Sequence, residues 1–263
     1  MAKRDRMTRV YDRAMRGSHQ RRYYGNTGFY NFGYWANRPK DQAAASAALV
    51  HKLIESFPDK GRILDVACGL GASTQILADR FGPDAIMGIN ISEKQVDDAK
   101  NRVPCAEFAV MSATKLEFPD DHFDAILCVE AAFHFDTRDA FFREAFRVLK
   151  PGGKLALSDI LVRDVPDWLA LFGKSPPGNL LPDTNTYCER LRDAGFQEFL
   201  LTDETEACLL GFCRNLSRWP AQEYSAGRMK FGQRLVAGPL CRTIAAYFRF
   251  ICRNYLLVVT SKS

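Results

Sequence analysis

The sequence predicts an α/β protein: seven short strands in one mostly parallel sheet, helices on both faces, a cap segment at the N-terminus and a helical lid inserted before the last strand. Three observations carry this. From Arg62 onward, short β-rich runs alternate with stretches long enough to be helices, the order that builds a parallel sheet covered on both sides. The 263 residues are 47% hydrophobic and 25% charged, ordinary for a globular domain large enough to bury a substantial core. No apolar run approaches the ~18 residues that a membrane-spanning helix needs.

The elements follow in order. Residues 7–16 place Met7, Val10, Tyr11 and Ala14 at helical spacing, with Arg6, Arg9, Arg13 and Arg16 between them. The next stretch, YYGNTGFYNFGYW (23–35), is aromatic at seven of thirteen positions. It is too rich in glycine for a helix and too apolar to stay in water, so it is expected to fold over something. Residues 40–57 read as a helix. Strands are expected at 62–66, 85–89, 106–111, 123–129 and 154–160, with helices near 71–81, 92–102 and 137–149. A helix at 184–194, ended by Gly195, precedes a strand at 199–203, and 255–260 reads as the last strand. The chain thus divides into a cap (1–43), a core (44–204), a lid (205–254) and a closing strand (255–263).

Composition narrows the function. The N-terminus is basic but has no apolar stretch of the secretory kind. Eight cysteines are scattered without a C-x-x-C pair, which argues against a disulfide framework and a zinc site and for a reducing cytoplasm. Net charge is +5, unevenly spread. Residues 1–24 carry eight Lys/Arg against Asp5 and Asp12, and 212–253 carry eight against Glu223 alone. Two readings stand: these segments attract an anionic substrate, carrier or membrane surface, or they are solvated helix faces.

The most informative stretch is ILDVACGLGAST (63–74). A buried strand delivers Asp65, a turn with Gly69 and Gly71 follows, and a helix begins. Glycine suits a backbone that turns sharply and lets a ligand lie against it. A dinucleotide site favours G-x-G-x-x-G/A, but the third position here is Thr74. Asp65 before the turn would repel a pyrophosphate and suits the ammonium of an amino acid.

D-x-A-C-G-x-G, with Asp65, Ala67, Gly69 and Gly71, resembles the first motif of class I S-adenosylmethionine (SAM)-dependent methyltransferases, a Rossmann-like fold. Three further stretches carry the likeness. GINISEKQ (88–95) is similar to the end of the family's second strand in cyclopropane-synthase-like and tocopherol-type enzymes. The resemblance implies that Asn90 stands where an acid usually binds the ribose, that Ile91 packs on adenine and that Gln95 reaches the ribose. MSATKLEFPDDHFD (111–124) resembles the family's adenine-recognition stretch, with Ser112-Ala113 in place of Asp-Ala. FREAFRVLKPGGKLALSDI (142–160) closely resembles the helix, turn and fifth strand. YNFGYW (30–35) is similar to the segment that closes over SAM, which implies Tyr24 and Tyr30 at the methionine end; simple capping of the core is the other reading.

A ligand crevice in an open α/β sheet lies at the carboxyl ends of the strands. After the fourth strand comes CVEAAFHFDTR (128–138). By the resemblance, Glu130 stands near the methionine moiety. His134 stands where several sugar and natural-product O-methyltransferases carry a histidine, with Asp159 at the end of the fifth strand as its partner. A His held by an Asp is a sound general base; a structural histidine is the plainer alternative. His19, His51 and His122 read as surface residues. The sequence has no [DNS]-P-P-[YFW] after the fourth strand, against amino-methylating DNA enzymes and any nucleic-acid partner. Phe133 stands where cyclopropane synthases carry an acid, and no carboxylate cluster suggests a metal. The apolar residues of 205–254, with Trp168 and Phe172, suggest an apolar acceptor pocket.

The expected activity is SAM-dependent methylation of a small, largely apolar metabolite, by O-methylation with His134 and Asp159 as general base. The alternative is C- or N-methylation of a small molecule or lipid at a membrane surface. A non-catalytic SAM-binding protein and an NAD-dependent oxidoreductase are the competitors outside the class.

Overall fold

The computed structural model describes residues 17–170 and 174–263. The helix expected at 7–16 and Phe172 lie outside these residues.

The sheet has seven strands: β1 (Ile63–Val66), β2 (Ile86–Asn90), β3 (Glu107–Val110), β4 (Phe123–Val129), β5 (Leu149–Val162), β6 (Phe199–Asp203) and β7 (Cys252–Ser261). Their order is β3-β2-β1-β4-β5-β7-β6. The first five run parallel, and β7 is antiparallel to both β5 and β6. This is the Rossmann-like sheet the sequence predicts. The chain order reverses beside β1, between β2 and β4, so a crevice opens at the carboxyl ends of those strands.

Eight α-helices are described: α1 (Ser18–Tyr23), α2 (Gln42–Leu53), α3 (Ala72–Phe81), α4 (Glu93–Arg102), α5 (Arg138–Val148), α6 (Thr184–Asp193), α7 (Gly211–Ser225) and α8 (Phe231–Ile251). Their starts follow local chemistry. Asp41, Ser92, Thr137 and Asp183 each accept a backbone N–H two or three residues into the helix they begin, satisfying donors that have no partner within the helix. The strands β1 and β4 are apolar almost throughout because both faces of the sheet are covered, and one core lies on each side.

Two strand starts differ from expectation by more than one residue. β5 begins at Leu149 rather than 154, because the Lys150–Gly153 turn is drawn into the ladder by the end of β7: Gly152 donates to the Lys262 carbonyl at 2.7 Å and Lys262 donates back to Gly153 at 3.0 Å. β7 begins at Cys252 rather than 255, since its first residues pair with Val162 and Leu161.

Candidate active site

The loop between β1 and α3 forms one wall of the crevice. Ala67, Gly69 and Gly71 all have positive φ (58°, 55° and 79°), so the chain turns back on itself within five residues. The two glycines answer different needs. A side chain at Gly69 would meet nothing within 4 Å, only the open crevice. A Cβ at Gly71 would sit 3.0 Å from Ala99, so this glycine lets α3 approach α4. Thr74, at the third position of the motif, is fully buried and donates to Asp65 Oδ2 at 2.6 Å; Ser73 donates to the same oxygen at 2.8 Å.

Around this loop lies a cavity of 290 Å³. Of the residues expected to hold SAM, it is lined by Tyr30, Ala67, Gly69, Asn90, Ile91, Gln95, Ser112, Ala113 and Glu130. Asn90 and Gln95 are locked together, the Asn90 amide donating to Gln95 at 3.0 Å and accepting the Ser92 N–H at 3.1 Å. Three of the expected residues do not face this cavity. Gly71 packs on α4. Asp65 lies beneath the loop and reaches the cavity only through Ser73, which lines it. Burial, offset in part by the two hydroxyls, raises its carboxyl to about 6. Tyr24 faces a second cavity, its ring 5.0 Å from that of Tyr30.

The second cavity measures 790 Å³ and is walled mainly by apolar side chains, among them Phe32, Phe133, Ile160, Phe212, Trp219 and Ile244. The helices α7 and α8 supply one side and the N-terminal segment another. Tyr30, Glu130 and His134 line both cavities and mark the junction between them.

Glu130 is held at that junction by three elements. Its backbone has φ +49°, a conformation that costs a residue other than glycine energy and is found at functional sites. Its Oε1 accepts the Phe32 N–H at 2.7 Å and the Tyr255 hydroxyl at 2.5 Å. The aromatic segment 30–35 is thereby pinned over the crevice, helped by Gln42, which donates to the Asn31 and Phe32 carbonyls, and by Phe32 stacking on Phe212 at 4.5 Å. Burial raises the Glu130 carboxyl to about 7, against the lowering effect of its two donors.

Asp159 is not the partner of His134. Its Oδ2 accepts Arg138 Nε at 2.6 Å and the Tyr187 hydroxyl at 3.1 Å, and its Oδ1 accepts Arg138 Nη2 at 3.3 Å and the Ile160 N–H at 2.8 Å. Asp159 and Arg138 are both buried, and Arg138 also donates to the Ile160 and Asn179 carbonyls. Asp159 therefore closes a structural ion pair. His134 lies at the junction, and burial and the Arg138 charge push its imidazole down to about 3, so it is neutral. Sequence reasoning missed Arg138, Tyr255 and Thr114, which lines the smaller cavity. An arginine one residue into a helix, Arg138, carries no local sign that it is buried.

The smaller cavity fits SAM: open space at Gly69 where any side chain would intrude, a polar Asn90–Gln95 pair at the end of β2, and the Glu130 carboxyl on its wall, with that of Asp65 behind Ser73. The class that fold and site define is the SAM-dependent methyltransferase. Residues 64–157 match a family described as "Methyltransferase domain". Methyltransferase GfsG of Streptomyces halstedii is 31% identical over 191 residues, 67% of this chain and 68% of that enzyme. The chain belongs to the SAM-dependent methyltransferases. Erythromycin 3''-O-methyltransferase of Saccharopolyspora erythraea is 33% identical over 189 residues, and the match spans 64% of this chain and about three fifths of that enzyme (61%). Geranyl diphosphate C-methyltransferase of Streptomyces coelicolor, solved with Mg²⁺, geranyl diphosphate and S-adenosyl-L-homocysteine, shares the fold: TM-score 0.71, 13% identity, 100% of this chain and 98% of that one. Both O- and C-methylating enzymes thus stand among its likenesses.

Proposed function

We propose that this chain methylates a hydroxyl of a small, largely apolar molecule bound in the 790 Å³ cavity, with SAM in the smaller one. The observation that carries the reading is the junction: Tyr30, Glu130 and His134 face both spaces, so a group at the end of one ligand meets the end of the other there. When bound, SAM supplies an electrophilic methyl group on a sulfonium. Ala67 and Gly69 shape the loop against it, Asn90 and Gln95 take the ribose, Ile91 packs on adenine, Ser112 and Ala113 meet its edge, and Asp65 contributes charge through Ser73. The apolar walls hold the acceptor and exclude water, and orientation of this kind supplies up to about 7–11 kcal/mol in favourable cases.

A hydroxyl acceptor needs a group to take its proton. Asp159 is committed to Arg138, and His134 has little proton affinity at about 3. Glu130, near 7, is matched to neutral pH. Glu130 accepts the proton, and neutral His134 aims the hydroxyl by a hydrogen bond. Incubation with methyl-labelled SAM and a panel of apolar alcohols, phenols, amines and carboxylic acids tests this. Label in an ether product, lost in Glu130→Gln, is expected. Label confined to amines or to carbon would overturn the hydroxyl reading, and C- or N-methylation would replace it.

A further inference from the structure

The 21-residue helix α8 is buried only at Cys241 and Ala245, both in its second half. Its first half, 231–240, contains no buried residue, yet it is strongly apolar. Phe231 is 58% exposed, Leu235 58%, Val236 71% and Leu240 55%. Spaced at i, i+4, i+5 and i+9, they cover one side of the helix, where a helix facing water carries polar groups. Val236 and Leu240 also line the larger cavity, so the apolar strip runs without interruption from the outside of the helix into the acceptor space.

The charge along this part of the chain has one sign. From Tyr224 to the C-terminus the chain has seven Lys/Arg and no Asp or Glu. Lys230, Arg234 and Arg242 flank the apolar side chains, and Arg234 and Arg242 are exposed. A second copy docked through the same face would set these cations against each other, which a symmetric contact does not relieve. A surface of anionic headgroups over hydrocarbon complements both features at once: cations meet headgroups, and apolar side chains enter the interface.

We propose that the first half of α8 docks on an anionic lipid surface and that the apolar acceptor passes from that surface into the larger cavity. The inference rests on the reading that the larger cavity holds the acceptor. It places the cavity mouth against the phase in which an apolar molecule concentrates, and it accounts for an apolar helix face left in water.

The test is sedimentation of the full chain with vesicles of phosphatidylcholine alone or with phosphatidylglycerol added, at low and high salt. Association with the anionic vesicles only, weakened by salt, is expected. Phe231→Ser with Leu235→Ser should lower the partition at least tenfold, and Lys230→Glu with Arg234→Glu should do the same, since each cation near such a surface contributes several-fold. Neither pair touches the cavities, so SAM binding by calorimetry and methylation of a water-soluble acceptor should stay at parental levels. Partition is read without turnover, so it separates from the assignment of the acceptor site. Absence of binding to anionic vesicles would overturn the proposal. So would binding indifferent to both pairs of substitutions, a parent that is dimeric through this face, or preference for an acidic carrier protein over the vesicles.

Discussion

Replacing Asp159 with Asn separates a structural carboxylate from a catalytic one. The substitution preserves shape and removes one charge from a pair whose side chains are 1% and 0% exposed. The Arg138 guanidinium then stays buried without a counter-charge, a change that costs about 3–5 kcal/mol when one partner of a buried pair is removed. Asn keeps one acceptor oxygen, which can take the Ile160 N–H while its amide donates to the Tyr187 hydroxyl, so the loss is the charge together with one displaced Arg138 N–H. Against a total stability of about 5–15 kcal/mol, and at about 2–4 °C per kcal/mol for a chain approaching this size, the melting point should fall by roughly 10 °C. Thermal and urea denaturation measure this. Turnover assayed well below the new melting point should remain within a few-fold of the parent. An unchanged melting point together with a hundredfold loss of turnover would refute the reasoning and return Asp159 to the chemistry.

Glu130→Gln should lower kcat by about 10²–10⁴-fold, the range for loss of a general base, while the parent rate climbs with pH through about 7 as the carboxylate forms; a pH-independent parent profile would count against this role. The same variant probes stability. A carboxyl raised from 4.5 to about 7 on folding binds a proton more tightly in the native state, so its contribution is present below 4.5 and lost as pH rises through 7. Glu130→Gln should therefore gain on the parent by up to about 3 kcal/mol between pH 4.5 and 8, read as paired urea midpoints. Gly69→Leu fills open crevice at φ +55°, so it should cost about 1–2 kcal/mol of stability and abolish SAM binding in calorimetry. Gly71→Ala has the reverse balance, because its methyl meets Ala99 at 3.0 Å: stability falls, and SAM affinity of the folded fraction is largely kept.

Period and punctuation made the sheet legible in the sequence. β4 and β6 lie where apolar runs and flanking turns put them, and the helix starts follow from Asp41, Ser92, Thr137 and Asp183. The turn after β1 was legible because glycines with positive φ are a local requirement that leaves a local mark. The partner of Asp159 was not. A carboxylate in the last third of β5 can turn toward the β4 loop or toward α5, and residues 21 apart in sequence decided it in favour of Arg138. Tyr255 escaped for the same reason: nothing around it in β7 says that its hydroxyl reaches a carboxylate 125 residues earlier.

The segment between β6 and β7 leaves the sheet and returns to it at one place. Asp203, the last residue of β6, stands opposite Leu256 of β7, and Asn254 donates to the Asp203 carboxylate at 2.7 Å. The Glu204 N–H meets the Tyr255 carbonyl at 2.8 Å, and Thr205 Oγ1 accepts the Tyr255 N–H at 2.9 Å. Whatever chain lies between enters and leaves through this stapled doorway, and closing a longer or shorter loop across it changes the entropy only slowly with length. Mutation can therefore rewrite the exposed faces of α7 and α8 while Phe212 and Phe248 keep their contacts with Phe32 and Tyr255 still holds Glu130 from beyond the staple. Chain exchanged between Thr205 and Cys252 leaves the Tyr255–Glu130 contact in place, which makes that stretch a practical unit of exchange for directed evolution.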